Sequence, residues 1–456
     1  MCNENMKDKK VLVVGMGKSG IAAVEAMVKL GAKIYVQDSK KLEEVDEKLR
    51  QFLEMHSATC YFGEKPSCID EIDMMVLSPG VPLEVDFVRE AMDRGVEIVG
   101  ELELAYRIGK GNYVAITGTN GKTTTTTLVG EIFKNAKKKT HVVGNIGVAV
   151  ISVALESTDE DWLITETSSF QLETTKYFKP KVSTILNLTP DHLNRHHTME
   201  NYGAAKAKIF ESQDEEGYYV ANYDDPDSFK LSEGCKRAKV VPFSKTKEFE
   251  FGVFVKDEKI VINNGETTIE VCGVEELKIP GAHNLENALA ATALAYFAGI
   301  EATVIAETLR TFMGVEHRLE YCGMVNGIKF VNDSKGTNPD ASIKAIDAMK
   351  KNIILIAGGY DKGSDFTDFI KSFDGRVKSM VLLGKTAPKI KEQAEAVGFN
   401  AITMAKDMKE CVNKAFEMAE SGDTVLLSPA CASWDMYRCF EDRGEDFKNC
   451  VRDLEK

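Results

Sequence analysis

The chain has 456 residues, of which 28% are charged and 43% hydrophobic, with 57 basic side chains against 71 acidic ones. A net charge of −14 argues against a general nucleic-acid or anionic-membrane binder, so an anionic ligand must be met by local lysines and arginines. Length alone suggests about three domains, each able to bury its own core.

Residues 9–15 (KKVLVVG) predict a buried strand, 21–30 an apolar-periodic helix stopped at Gly31, and 33–36 a second strand. Between strand and helix lie Gly15, Gly17, Lys18, Ser19 and Gly20, a G-x-G-x-x-G pattern, and Asp38 follows Gly20 by 18 positions, with Ser39 beside it. Glycines there serve close helix–strand packing in many doubly wound folds; the surrounding strand–helix–strand pattern favours a ligand containing a diphosphate. A later strand, 74–77, runs into Ser78-Pro79-Gly80 on the same carboxyl edge.

Residues 113–128 (YVAITGTNGKTTTTTL) are the most informative segment. A β-branched run feeds Gly118, Thr119, Asn120, Gly121, Lys122, Thr123 and Thr124, and a helix-compatible stretch follows. Glycines let backbone N–H groups approach phosphate oxygens, and the helix N-terminus adds positive potential. Lys122 can reach terminal phosphates, and the Thr123 hydroxyl can bind Mg²⁺. The loop has two residues between its glycines where the commonest form has four. ATP is the expected ligand.

Further strands at 141–143, 162–165 and 182–186 end in Gly144-Asn145, Glu166-Thr167 and Asn187-Leu188-Thr189-Pro190-Asp191-His192, so one edge should collect Lys122, Asn145, Glu166 and His192. The alternating runs of 250–274 around Asn264-Gly265 predict a small antiparallel addition, and 282–297 a strong helix. From 315 the strand–helix alternation resumes, with strands at 328–331, 353–357, 380–383 and 424–427. The expected fold is α/β in three domains, 1–100, 101–314 and 315–456: Rossmann-like at both ends, with a central P-loop domain whose sheet is mainly parallel. Ten scattered cysteines form no C-x-x-C pair and read as reduced thiols. No leader-like segment opens the chain, and no apolar run approaches the ~18 residues of a membrane span, so a cytoplasmic protein without membrane insertion is expected.

The ordered set TGTNGKTTT, GNIG, ETSSFQLE, NLTPDHLNRH, AHNLENALAA, HRLE, NDSKGTN and LLSPACASWDMY closely resembles the Mur ligases, the ATP-dependent amino-acid-adding enzymes of peptidoglycan synthesis. Ser78-Pro79-Gly80, SSFQLE, NDSKGTN and SPACASWDMY resemble the D-glutamate-adding branch. The resemblance implies ATP-driven formation of an acyl phosphate on UDP-N-acetylmuramoyl-L-alanine, followed by attack of the D-glutamate amine. Nearest alternatives are a sister ligase with another amino acid, an NAD-dependent dehydrogenase using Asp38, which leaves Lys122, Glu166 and His192 without a role, and a catalytically dead nucleotide-binding regulator, against which every expected phosphate and metal residue is present.

By resemblance, Lys122, Glu166, His192 and Lys206 are catalytic. Thr123 and Glu166 serve one Mg²⁺ and His192 a second, Mn²⁺ being a possible substitute, and Lys206 joins the ligands if carbamylated. ATP is held by the loop from Gly118 to Thr124 together with Asn284, Asn287, Arg318, Asp333 and Lys335. The UDP-substrate takes Gly15, Gly17, Lys18, Ser19, Gly20, Asp38, Ser39, Ser78, Pro79, Gly80 and Asn145. Lys40 stands where relatives often carry arginine, which removes a bidentate fork. D-glutamate takes Thr337, Lys362, Ser433 and Phe440. His196 and His197 are expected to be surface residues, Lys208 a bystander, and the enzyme a monomer. The alternative readings are a helix-capping carboxylate for Glu166, less suited than a metal role because hard cations need oxygen ligands beside phosphate, and solvated surface for Lys206 or Lys362.

Overall fold

The computed structural model describes residues 5–279, 281–349, 351–361 and 363–454. They form an α/β protein in two compact units: residues up to 276 with 286–310, and 277–285 with those from 311 onward.

The first unit begins with five parallel strands, β1 (Lys10–Val14), β2 (Lys33–Asp38), β3 (Thr59–Phe62), β4 (Met74–Leu77) and β5 (Glu97–Gly100), in the order β3-β2-β1-β4-β5. Val11 and Val13 join one core cluster and Leu12 and Val14 another, so β1 is covered on both faces, as its unbroken apolar run requires. β1 lies between β2 and β4, which makes its carboxyl end a switch point. Register pairs Val14 with Leu77, and that sets Gly15 beside Ser78.

Nine strands follow: β6 (Asn112–Thr117), β7 (Thr140–Gly144), β8 (Trp162–Glu166), β9 (Val182–Ile185), β10 (Tyr218–Asn222), β11 (Lys239–Ser244), β12 (Phe251–Lys256), β13 (Lys259–Asn264) and β14 (Thr268–Gly273). Their order is β14-β13-β12-β11-β10-β9-β6-β8-β7, parallel from β7 to β12 and antiparallel across β12, β13 and β14. The antiparallel addition is therefore continuous with the parallel sheet. Its first hairpin turns at Asp257 and Glu258, both at positive φ, while Asn264-Gly265 opens the following turn into β14. Two adjacent left-handed residues suit a two-residue turn even without glycine.

The second unit contains β15 (Glu320–Val325), β16 (Ile328–Asn332), β17 (Ile353–Gly358), β18 (Val377–Leu383), β19 (Ile402–Met404) and β20 (Thr424–Leu427), ordered β15-β16-β20-β17-β18-β19. Only β15 runs antiparallel to its neighbour. Ile353 and Leu355 pack to one face and Ile354 and Ile356 to the other, so β17 is a fully covered central strand. No helix among the described residues is long and apolar enough to cross a membrane.

One apolar cluster runs from β1 through the helix Glu101–Ile108 to β6 and β8, which explains why the first two sheets form one unit. The same helix buries charge. The Glu103 carboxylate accepts the N–H groups of Lys176, Tyr177 and Phe178 and pairs with Arg107. Glu101 accepts Ile151 N–H at 2.6 Å, and its other oxygen is buried without a hydrogen-bond partner. Burial pushes its pKa from 4.5 to about 7. A carboxyl whose folded pKa is raised contributes fully below about 4.5, and that contribution is lost as pH rises through about 7. Glu101→Gln keeps the acceptor and cannot ionise. Thermal denaturation from pH 5 to 8 should therefore show wild type losing roughly 3 kcal/mol relative to Glu101→Gln; parallel curves would exclude this.

Candidate functional site

β6 ends between β8 and β9, with Ile116 opposite Glu166 and Thr117 opposite Ile185. This register brings the loop after β6, Glu166 and the segment from Leu186 to His192 to one edge. Gly118 has φ +151 and Gly121 φ +84, and a methyl group on Gly121 would lie 2.3 Å from Asn287 Oδ1. The helix Lys122–Asn135 starts directly after Gly121, so its first N–H groups have no intrahelical acceptor. Lys122 Nζ donates to the carbonyls of Gly118 and Thr119, both at 2.9 Å. Asn287 Oδ1 accepts from Thr125 at 3.2 Å, while Asn284 is buried one turn earlier on the helix Ala282–Phe297. The hydroxyl of Thr124 is buried without a hydrogen-bond partner, and Thr123 beside it is half-buried.

Glu166 is buried; Oε1 accepts from Asn145 Nδ2 at 2.7 Å, and Oε2 has no hydrogen-bond partner. An orphaned buried carboxylate oxygen costs about 1–3 kcal/mol or more unless a cation or donor meets it. Oxygen donors from Glu166 and Thr123 suit a hard divalent cation. His192 is exposed at φ +53, its ring 4.8 Å from Phe170.

Lys206 is 1% exposed, with Nζ 2.9 Å from Gly118 O, 3.4 Å from Thr117 Oγ1, and over the Tyr202 ring. Burial, reinforced by the Lys122 cation and opposed by Asp191, holds its pKa well below the ordinary lysine value. Lys208, two residues on, donates to Glu173 O at 2.5 Å.

On the first sheet, Ser78 Oγ donates to Gly15 O at 2.6 Å, and a Cβ on Gly20 would sit 1.9 Å from the same oxygen. Gly17 caps the helix that begins at Lys18 and continues through Ser19. Asp38 is buried, and its carboxylate accepts Met16 N–H at 2.6 Å and Lys40 N–H at 2.9 Å. It thereby fixes the glycine loop against the end of β2, where Ser39 and Lys40 are exposed. Pro79 and Val81, on either side of Gly80, meet Arg195, which donates to both of their carbonyls, pairs with Glu173 at 2.6 Å and covers Phe170. A cavity of about 410 Å³ opens there, lined by Gly80, Pro82, Glu84, Phe170, Asn194, Arg195 and His197.

No local pattern signals the contacts of Arg195, and His196, expected at the surface, is buried. His196 is 5% exposed, bonded to Ser169 Oγ at 2.9 Å, 3.4 Å from Glu173, and packed between Phe170 and Tyr202. Burial lowers its pKa, against Glu173. One turn of helix after His192 faces it inward; His197, at φ +66, is exposed as expected.

In the second unit, Asn332 and Ile356 both face Leu427 in register, which gathers the loops after β16, β17 and β20. Asp333 is buried, accepts Ser428 Oγ at 2.8 Å, and is pushed up to about 6 by burial, against Arg318 and Ser428. Lys335 donates its N–H to His317 O and lies over Phe440; Thr337 is half-buried in the same loop, and Ser433 is buried. Arg443 ties these loops together by donating to Ser334 Oγ, Ser334 O and Cys431 O. Burial brings its pKa down to about 10. Nothing near Arg443 in sequence signals this role. Lys362 lies outside the described residues.

A phosphate-type loop at a switch point of a parallel sheet, beside a buried carboxylate short of a partner, defines an α/β nucleotide-using enzyme. Three family models refine that class: the MurD-like N-terminal domain over 9–100, the Mur ligase middle domain over 116–295, and the Mur ligase glutamate ligase domain over 317–431. The chain belongs to the Mur ligase family. Among curated relatives, UDP-N-acetylmuramoylalanine--D-glutamate ligase of Alkaliphilus oremlandii is 53% identical, covering 99% of this chain and 100% of the relative. The enzyme of that name from Thermoanaerobacter sp. strain X514 is 51% identical with the same coverage. The crystal structure of UDP-N-acetylmuramate-alanine ligase from Thermotoga maritima shares the fold, with TM-score 0.58 and 19% identity over 97% of this chain and 99% of that one.

The Gly121 backbone and its closeness to Asn287 leave no room for a side chain. Gly121→Ala should lower stability by about 1–3 kcal/mol and abolish thermal stabilisation by MgATP. Unchanged stabilisation would mean the loop tolerates a methyl group there.

Proposed function

We propose that this chain is an ATP-dependent ligase that adds D-glutamate to UDP-N-acetylmuramoyl-L-alanine in the synthesis of peptidoglycan precursors. The carrying observation is full-length identity of about half to relatives bearing that name, with the phosphate loop, Glu166 and Lys206 gathered at one sheet edge.

The chemical problem is to bring a substrate carboxylate up to the terminal phosphate of ATP. Two unit charges ~4 Å apart repel by roughly 4 kcal/mol at an effective dielectric of ~20. Lys122 and the N–H groups after Gly121 offset that repulsion and stabilise the charge spread over the transferring phosphoryl oxygens. Mg²⁺, held by Thr123 and Glu166 with a second ion at His192, supplies further positive charge; Mn²⁺ is a possible substitute. The phosphorylated carboxyl is then attacked by the amine of D-glutamate, and collapse of the tetrahedral species releases phosphate and leaves an amide. Gly15, Gly17, Lys18, Ser19, Gly20, Ser78, Pro79 and Gly80 form the diphosphate side of the UDP-substrate site. Asp38 orders that site and Ser39 flanks it, with Asn145 toward the alanyl end. By resemblance, Asn284, Asn287, Arg318, Asp333 and Lys335 also serve ATP. Thr337, Lys362, Ser433 and Phe440 take D-glutamate. The enzyme is read as a cytoplasmic monomer.

Lys206 acts here as a carbamate. Its neutral amine attacks CO₂, forming an N–C bond and losing a proton, and the product is an anion that an ammonium could never be. Burial of the amine beside Lys122 favours the step, because the product pairs with the nearby cations.

Phosphate release with UDP-N-acetylmuramoyl-L-alanine, ATP and a panel of amino acids should show strong turnover with D-glutamate and little with L-glutamate. The mirror arrangement leaves polar groups of the acceptor site unpaired, which commonly costs 10⁴–10⁵-fold. Equal use of both enantiomers would refute the acceptor assignment. Lys206→Ala should lose nearly all turnover and recover part of it in high acetate, whereas Lys206→Arg should stay inactive. A fully active arginine variant would rule out the carbamate.

A further inference from the structure

The loop from Gly118 to Gly121 presents a difficulty that its own sequence does not solve. A phosphate chain needs N–H groups toward it, yet every peptide that offers an N–H also carries a carbonyl oxygen, which repels phosphate. The carbonyls of Gly118 and Thr119 are held by Lys122, and that of Gly118 also by Lys206. The Asn120 peptide is held by a residue outside the loop. Asn187, just past the end of β9, accepts Asn120 N–H on Oδ1 at 2.8 Å and donates from Nδ2 to Asn120 O at 3.1 Å. Both polar groups of one residue are thereby closed by a single side-chain amide.

The clamp is reinforced along the strand end. Thr119 N–H donates to Asn187 O at 3.1 Å, Thr119 Oγ1 donates to Thr189 O and accepts Thr189 N–H, both at 3.1 Å, and Tyr202 OH lies 3.2 Å from the same hydroxyl. The side-chain Nδ2 of Asn120 is buried and without a hydrogen-bond partner. A buried amide donor without an acceptor costs about 1–3 kcal/mol, and a nucleotide phosphate oxygen is the acceptor this loop is shaped to receive.

We propose that Asn187 is a positioning residue for nucleotide phosphate binding: by pinning both polar groups of the Asn120 peptide it turns that carbonyl from the ligand and frees the Asn120 side-chain amide to donate to a phosphate oxygen. The inference deepens the assignment of the 118–124 loop to ATP and rests on it.

The same strand end carries a natural control. Asn222 is 1% exposed and donates from Nδ2 to Leu186 O at 2.7 Å, so it braces the strand end without touching the phosphate loop. The full-length enzyme is compared as wild type, Asn187→Ala, Asn187→Asp and Asn222→Ala. Affinity for a non-hydrolysable ATP analogue with Mg²⁺ and, separately, for the UDP-substrate is read by calorimetry, alongside KM for ATP. Asn187→Ala should weaken the analogue and raise KM for ATP at least tenfold, with UDP-substrate affinity held within twofold. Asn187→Asp keeps shape and acceptor but sets a carboxylate against Asn120 O, so it should be no better than alanine; a pure packing role would be rescued by it. Asn222→Ala should lower thermal stability and leave analogue affinity within twofold. Wild-type analogue affinity in either Asn187 variant, a parallel loss of UDP-substrate affinity, or an equal loss in Asn222→Ala would overturn the clamp. Lys122→Ala separates the two claims. If it also binds the analogue normally, the ATP assignment of the loop fails and the clamp with it; if Lys122→Ala loses affinity and the Asn187 variants do not, the clamp alone fails.

Discussion

Everything at the central edge follows from the placement of β6 between β8 and β9. Parallel strands end on the same side, so a strand with two parallel neighbours brings three loops together without any need for the loops to reach. Here they are the glycine loop, the segment opened by Glu166, and the segment that starts with Leu186 and Asn187. Parallel pairing with Ile116 and Thr117 sets their depth. A one-residue slip would turn Glu166 to the opposite face of its strand and remove a buried carboxylate from a place where cation chemistry can use it.

That edge concentrates groups that burial alone would forbid. Lys206 and Lys122 approach one carbonyl, Glu166 keeps an oxygen without a partner, and Asn120 and Thr124 each bury a polar atom unmet. Soluble proteins rarely leave such groups unsatisfied. Their presence together in one small region, beside the buried strands β6, β8 and β9, fits a site completed by a ligand that is anionic on one side and cation-bearing on the other. Backbone strain points the same way: Gly118 and Gly121 bracket the loop at positive φ, and His192 sits in the left-handed region without glycine's freedom.

Much of this was legible in sequence because it depends on local chemistry. Strand-length apolar runs, glycines at fixed spacing and Lys-Thr at a helix start are written within some ten residues of one another, and the strand at 424–427 and the helix at 282–297 matched to the residue. What escaped reading depends on contacts between distant segments. Asn187 meets a loop 67 positions earlier, Arg195 reaches carbonyls 114 and 116 positions away, and Arg443 closes on Ser334 across 109. An asparagine after a strand, or an arginine on a polar helix, has no local pattern that says it will be buried. The misplacement of His196 has the same origin. His196 and His197 close a polar run and read as solvated, yet a single turn of helix faces His196 inward onto Phe170 and Tyr202.

The reach of these residues bears on how the two chemical tasks of the first unit are coupled. Arg195 lies three residues after His192 on one short helical turn, and its guanidinium holds the backbone after Ser78 on the neighbouring sheet. Asn187 lies five residues before His192 and holds the phosphate loop. The segment between them is thus tied at one end to the loop assigned to ATP and at the other to the loop assigned to the UDP-substrate, and His192 stands between the two ties. Hydrogen bonds at both ends, from Asn187 to Asn120 and from Arg195 to Pro79 and Val81, make this segment the direct covalent connection between the two loops. The histidine proposed to hold a cation would then have its position tied to both substrate loops, which suits the proposed reaction, whose first step joins one substrate's carboxylate to the other's phosphate.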